Sequence, residues 1–383
     1  MRIADWNLQE QHDTVEVSAD VDGFRLWYRV PKAYPVSRTG DPFLASALIL
    51  AMLKGEELEI DPGLPVSPKL LRNASLIQDI HHSWNPVLKK IPIRANTAPA
   101  EPLNSGAFAF FSGGLDSLYT FLKRQEDISH VVFLHGFDFF RTSEDYRTAV
   151  ARNTAFVAGF GKTLIPVETN HFPFDYRNSL SRVLTQGSTL ASVALLLGFS
   201  RAYMPASMSY DQLIPSAAHP LLDPLYTNEG IDLIHDGAEA GRTDKLMKIA
   251  ACESALASLV VCIDEMNFNC GQCMKCLRTM IGLEILGAKG ALFPPLPPAK
   301  TLRRRYREAC QFYLTENLEL AVRKGHEELA GVLKAIQRGY ERKQLLKDAD
   351  RVLLGGLIKR IYRKIRKEPL RLVDWIDAVP PKN

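Results

Sequence analysis

Phe111-Ser112-Gly113-Gly114-Leu115-Asp116-Ser117 is the stretch whose reading decides the fold of this 383-residue chain. An apolar run, Ala107-Phe108-Ala109-Phe110, precedes it, and Leu118, Phe121 and Leu122 follow at helical spacing. The pattern predicts a strand, a glycine turn and a helix start. Such a turn exposes backbone N–H groups beside the positive end of the helix, and together these cradle a phosphate. The plainer alternative is a glycine turn capped by its own Ser and Asp. Strand before and helix after favour the phosphate reading.

Working outward, the chain alternates. Candidate strands at 107–111, 131–134, 163–167 and 201–204 are separated by helical stretches at 117–125, 144–159 and 187–199. This rhythm predicts an α/β fold, an open parallel sheet with helices on both faces. Ligands in such sheets bind beyond the carboxyl ends of the strands. Both 112–117 and His135-Gly136-Phe137-Asp138 fall there. Gly161-Lys162-Thr163 imitates the end of a Walker A loop, but Phe156 stands where a glycine is needed and the tripeptide precedes a strand.

Upstream, Thr14-Val15-Glu16-Val17-Ser18-Ala19 and Phe24-Arg25-Leu26-Trp27-Tyr28-Arg29-Val30 read as a β-hairpin across Asp20-Val21-Asp22-Gly23. Asp41-Pro42 opens a helix through Phe43, Leu44, Leu48 and Leu50 to Leu53, with Pro in its first turn. A strand at 57–60 and a helix at 67–80 complete a small N-terminal α/β module over 1–104, which ends in the linker-like residues 94–102. Residues 105–300 then form the expected nucleotide domain, and 301–383 a basic helical region.

Four of the six cysteines, Cys262, Cys270, Cys273 and Cys276, form the pattern Cys-x7-Cys-Gly-Gln-Cys-Met-Lys-Cys. Thiolates at this spacing can meet on one ion, and Gly271 permits the tight backbone that requires. Four sulfurs fill a tetrahedral shell, so the expected site is structural Zn2+. An iron–sulfur cluster is the alternative, but no cysteine follows at its usual fourth spacing. Cys252 and Cys310 lie in helical patterns and read as core or surface thiols rather than ligands.

The Ser-Gly-Gly-x-Asp-Ser pattern of 112–117 resembles the signature loop of the PP-loop ATP pyrophosphatases. The knuckle Cys270-Gly271-Gln272-Cys273-Met274-Lys275-Cys276, with Cys262 upstream and Arg278 after it, resembles that of the 7-cyano-7-deazaguanine synthases within that superfamily. The resemblance spans roughly 107–290. It implies that ATP and Mg2+ are used to adenylate a carboxylate, such as 7-carboxy-7-deazaguanine, which then becomes an amide or a nitrile. It further implies ATP binding by Ser112, Gly113, Gly114, Leu115, Asp116 and Ser117, with Asp116 orienting Mg2+. Gly241-Arg242-Thr243-Asp244-Lys245-Leu246-Met247-Lys248-Ile249 is similar to the family's segment whose lysine faces the nucleotide. Lys245 is then the candidate for the α-phosphate and Arg242 a second, its alternative being a helix-surface cation. Asp138 would meet the ribose or cap its own turn. Asp223, in His219-Pro220-Leu221-Leu222-Asp223-Pro224, would face the acceptor or serve a turn, and His235 and Glu239 would lie nearby or in a polar loop.

Composition sets the limits. With 46% hydrophobic and 23% charged residues the chain belongs with soluble globular proteins rather than disordered ones. No apolar run approaches the ~18–20 residues of a membrane span. The start, Met1-Arg2-Ile3-Ala4-Asp5-Trp6, lacks a signal-peptide core, so a cytoplasmic location is expected. A homo-oligomer is compatible with this composition. From Thr301 onward 20 Lys+Arg face 11 Asp+Glu, against 27 and 32 before it. Arg303-Arg304-Arg305-Tyr306-Arg307 and the basic run at 357–367 therefore read as helices with a solvated basic face, as a docking surface for RNA or an acidic protein, or as a membrane-surface helix. The extra length beyond the resemblance suits a large acceptor, as in longer relatives in phage defence that join a deazaguanine to a partner protein. An adenylating tRNA thiolase and a non-catalytic nucleotide-binding scaffold are the competing functions.

Overall fold

One large sheet carries the 112–117 loop. The computed structural model describes residues 1–136, 143–265, 267–308 and 310–354; Asp138 and the basic run at 357–367 lie outside these residues. Among the described residues the first compact unit, Met1–Ala240, contains β1 (Arg2–Glu10), β2 (Thr14–Val21), β3 (Arg25–Pro31), α1 (Asp41–Lys54), β4 (Leu58–Ile60), α2 (Pro68–Trp84) and β5 (Ile93–Arg94). It continues through β6 (Asn104–Phe110), α3 (Leu115–Arg124), β7 (His130–His135), α4 (Ser143–Ala158), β8 (Thr163–Thr169), α5 (His171–Arg177), α6 (Arg182–Leu197), β9 (Phe199–Pro205) and β10 (Asp232–Asp236). The strand order is β10-β9-β6-β7-β8-β3-β2-β1-β4-β5. The β10-to-β8 half is all parallel, whereas β8, β3, β2 and β1 pair antiparallel.

The α/β fold with a mostly parallel sheet flanked by helices therefore stands. From β6 the chain steps through β7 to β8 in one direction and then returns to β9 on the other side of β6. Right-handed crossovers place α3 and α4 on one face and α6 on the opposite one. Phe121 of α3 meets Phe156 of α4, with ring centroids 5.3 Å apart, and both pack on Phe111. On the other face α1 packs along α6. Phe43 to Met52 of α1 are buried without a break, as a helix enclosed on all sides requires.

The linker-like residues 94–102 lie between β5 and β6 along the chain but do not divide the sheet, to which both strands belong. β3 pairs with β8, Tyr28 opposite Thr169, so strands from both sides of that linker share one sheet. A buried polar cluster explains the junction. The Tyr28 hydroxyl lies 2.8 Å from Ser46 Oγ on α1, 2.9 Å from His171 Nε2 on α5 and 3.0 Å from Ser192 Oγ on α6. Burial holds His171 down to about 3, so its ring is neutral and can accept or donate within the cluster. Groups that can be satisfied only by one another bind their elements together.

The second unit begins at Gly241, inside the stretch read as the nucleotide domain. It comprises α7 (Arg242–Ala250), α8 (Glu253–Ser258), α9 (Met274–Ile285), α10 (Ala299–Arg305), α11 (Gln311–Arg323) and α12 (Glu327–Leu354). Its core joins Leu277 and Ile281 of α9, Leu302 of α10, Leu314 of α11 and Leu333 of α12 around Tyr306. No helix among the described residues is long and apolar enough to cross a membrane.

Candidate anion loop and metal centre

The loop leaves the carboxyl end of β6, where the strand order turns between β7 and β9. Crevices at such switch points are where open α/β sheets take their ligands. Phe111 is still anchored to the sheet, its N–H donating to Val132 O at 2.8 Å. Gly113 then adopts φ +74° and Gly114 is extended at φ −83°, ψ 169°. The first helical bond of α3, Leu118 N–H to Gly114 O, follows at 2.9 Å. Positive φ at Gly113 turns the chain back so that successive N–H groups face one way, ahead of a helix N-terminus.

Two hydroxyls occupy those amides. Ser112 N–H donates to Ser117 Oγ at 3.2 Å and Gly114 N–H to Ser112 Oγ at 3.3 Å, both long bonds, while Ser117 Oγ donates to Gly114 O at 3.0 Å. Oxygens of an anion can replace such weak acceptors. Ser112 is exposed, Asp116 partly exposed in the first turn of α3, and Leu115 and Ser117 are buried.

Sequence reasoning missed Asn153 of α4. Its side chain is fully buried, and neither Oδ1 nor Nδ2 has a partner among the described residues. A Cβ built on Gly113 would stand 3.0 Å from its Oδ1. An orphaned amide against an anion loop is unusual, since such groups cost about 1–3 kcal/mol when unsatisfied. The only sequence signal was an Asn in mid-helix, where it is a poor helix former.

Two of the three predicted acceptor residues are brought together. His235, on β10, places Nδ1 2.6 Å from Asp223 Oδ2 in the turn Asp223–Tyr226. Both side chains are buried, at 4% and 0% exposure, so the pair is knitted into the core of the first unit. Burial pushes the Asp223 carboxyl up, opposed by His235. Glu239 turns instead to α3, accepting from Lys123 at 2.6 Å and from Tyr119 at 3.0 Å. Partial burial pushes its pKa up, but the Lys123 hydrogen bond and its other partners outweigh this and hold it down. Another pair lies at the carboxyl ends of β7 and β8. His135 stacks on Tyr146 at 4.1 Å, with Nδ1 4.0 Å from Glu168.

Lys245 and Arg242 stand on α7 in the second unit. Lys245 is buried at 1% exposure, and the Arg242 guanidinium lies 5.7 Å from the Tyr313 ring centroid. Arg278 pairs with the buried Glu308 and stacks 3.6 Å over Tyr313, a structural arrangement.

The four cysteines do meet. Their Sγ atoms all lie within 4.8 Å of one another, with Cys262–Cys273 at 3.9 Å and Cys270–Cys276 at 4.0 Å. A tetrahedron with Zn–S bonds of ~2.3 Å has edges of ~3.8 Å, so the cluster can hold a metal ion such as zinc. Cys273 N–H and Gln272 N–H point at Cys270 Sγ at 3.2 and 3.4 Å, as knuckle amides do toward a thiolate. Gly271 has φ +66°, and a Cβ there would fall 2.4 Å from Pro294 Cγ. Hydrogen bonding from Cys276 holds the Cys273 thiol down to about 5, while Cys276 itself is pushed up. Cys252 and Cys310 stay outside the cluster.

Compared with known proteins, the chain matches no family model, no curated protein and no solved structure.

Proposed function

We propose that the chain is an ATP-dependent synthase or ligase that cuts ATP to AMP and pyrophosphate and adenylates a carboxylate, such as that of 7-carboxy-7-deazaguanine. The observation that carries this reading is the loop itself. It combines a positive-φ Gly113, weakly held amides, a helix start at Leu115 and a switch-point position, with the unsatisfied amide of Asn153 beside it.

In this reading the loop amides and the Ser112 and Ser117 hydroxyls hold the departing pyrophosphate. Asp116 is the residue that would hold Mg2+, whose charge offsets that of the phosphates. The acceptor carboxylate oxygen attacks the α-phosphorus, the bond to the β-phosphate oxygen breaks, and pyrophosphate leaves. A nitrogen nucleophile then attacks the acyl carbon, and AMP departs with the electron pair of the broken C–O bond. Lys245 is the cation assigned to charge on the α-phosphate, with Arg242 second. The four-cysteine site holds structural zinc, since four thiolates leave no open position. The product is an amide, a nitrile or a conjugate to a partner protein, the last fitting a role in phage defence. A tRNA thiolase is disfavoured, because the first unit contains no cysteine to carry sulfur beside the loop.

The test is incubation with α-labelled ATP, Mg2+ and 7-carboxy-7-deazaguanine. Acceptor-dependent AMP and pyrophosphate are expected; ADP and phosphate, or no acceptor dependence, would sink the reading.

A further inference from the structure

At the end of α10 four arginines, Arg303, Arg304, Arg305 and Arg307, fall within five positions and all are exposed. No carboxylate among the described residues pairs with any of them. Arg305 donates to Gln272 Oε1 at 2.7 Å, and Arg307 folds back to the carbonyl of Arg303 at 2.9 Å. Elsewhere some clustered cations do have a carboxylate: Arg25 and Arg29 share Glu16, and Lys123 and Arg124 share Asp236. A dense block of arginines without counter-charge repels itself unless an anion covers it.

Beside this block, between α10 and α12, opens a cavity of about 190 Å³ lined by Arg303, Arg307, Ala335, Ile336, Gly339 and Tyr340. Its lining is mostly aliphatic and aromatic, and Arg303 and Arg307 contribute to it. Gly339 has nothing within 4 Å of where a side chain would begin, so its missing Cβ leaves open space. By helical spacing Arg342 follows Ala335 and Gly339 on the same side of α12. Residues 355–383, by sequence alone, carry eight Lys+Arg against three Asp+Glu.

We propose that this α10–α12 face binds single-stranded nucleic acid, with phosphates on Arg303, Arg304 and Arg307 and one base in the cavity against Tyr340. Guanidinium forks match phosphate oxygens, and a mostly apolar cavity lined by an aromatic ring beside them suits a base. An acidic protein would satisfy the charge but leaves the aromatic-walled slot without an occupant of matching shape. The proposal does not depend on the chemistry assigned to the 112–117 loop.

The experiment is fluorescence anisotropy of the full chain with labelled 20-nucleotide oligo-U and oligo-dT over a salt series, without ATP. Binding should weaken with salt, and R303E/R307E should flatten the log–log slope by about 0.7 for each lost phosphate contact. G339L, on the exposed side of α12, should lower affinity roughly tenfold by closing the slot to a base, while leaving an abasic oligonucleotide of equal length unaffected. RNA binding well above DNA would assign the face to RNA, and equal binding to phosphodiester strands in general; either result supports it. Poly-glutamate binding as tightly as the oligonucleotides at matched charge would overturn the proposal. So would oligonucleotide binding unchanged in both R303E/R307E and G339L.

Discussion

The 112–117 loop and the cysteine knuckle use one backbone device for opposite ends. Each turns on a glycine in the left-handed region, Gly113 at φ +74° and Gly271 at φ +66°, and each runs straight into a helix, α3 or α9. In the knuckle the freed N–H groups already face sulfur, and four thiols converge within 4.8 Å. In the loop they face only neutral hydroxyls across 3.2–3.3 Å. The knuckle carries its own negative charge and is a closed site. The loop's Ser112 and Gly114 amides meet only hydroxyls, so it is an open one, suited to an anion from outside.

That contrast can be broken most violently at the knuckle. Cys276→Ser should abolish metal binding and, because structural zinc supplies on the order of 10 kcal/mol in small domains, unfold the second unit. Circular dichroism with metal analysis should show helix lost while the first unit still melts cooperatively; a fully helical, metal-free variant would show that the cluster is not structural.

A second difference is pH. The first unit contains buried ionisable groups within its apolar core, and burial pushes Asp175 up to about 7. Because its folded pKa is raised, the stability it contributes is full below its unfolded pKa, near 4, and is lost as pH rises to about 7. At ~1.4 kcal/mol per pH unit the loss is at most on the order of 4 kcal/mol. Asp175→Asn should therefore gain Tm relative to the parent chain between pH 4 and 7 and hold a constant advantage above it. A difference in Tm independent of pH would refute the shift.

The mildest probe separates folding from function at the two glycines. Gly271→Ala meets backbone strain and a proline ring, and should cost about 2–3 kcal/mol. Gly113→Ala meets the end of the Asn153 side chain and should cost about 1–2 kcal/mol; on the proposed function it should also lower AMP formation by ~100-fold through the misdirected amides. Denaturant melts beside initial rates decide it. Equal stability losses with unchanged rates would remove the loop from the chemistry.

Both turns were legible in the sequence because each is local: six or seven consecutive residues contain the glycine, the polar groups and the helix start. Four of the five strands in the parallel half, β6 to β9, were legible too, through apolar runs such as Val131 to Leu134. β1 was not, because along Arg2–Glu10 only Ile3 is buried and the alternation is faint. β10 was hidden by its own chemistry. His235 and Asp236 look like loop residues until Asp223 and Arg124, 12 and 112 residues away, satisfy them. Asn153 is the same lesson: a polar residue becomes informative only once the turn that packs on it is known.

The pairing of β3 with β8 has a consequence for how the chain is made. Thr169 reaches the Trp27 carbonyl across 142 residues, so β3 keeps an unpaired edge until that much more chain has been synthesised. At roughly 5–20 residues per second the wait is on the order of ten seconds, long beside hairpin closure. Through it the β1–β3 meander presents a strand edge open to other nascent chains. Low expression temperature or a holding chaperone should therefore raise the soluble yield of this protein more than any change near its loop or its knuckle.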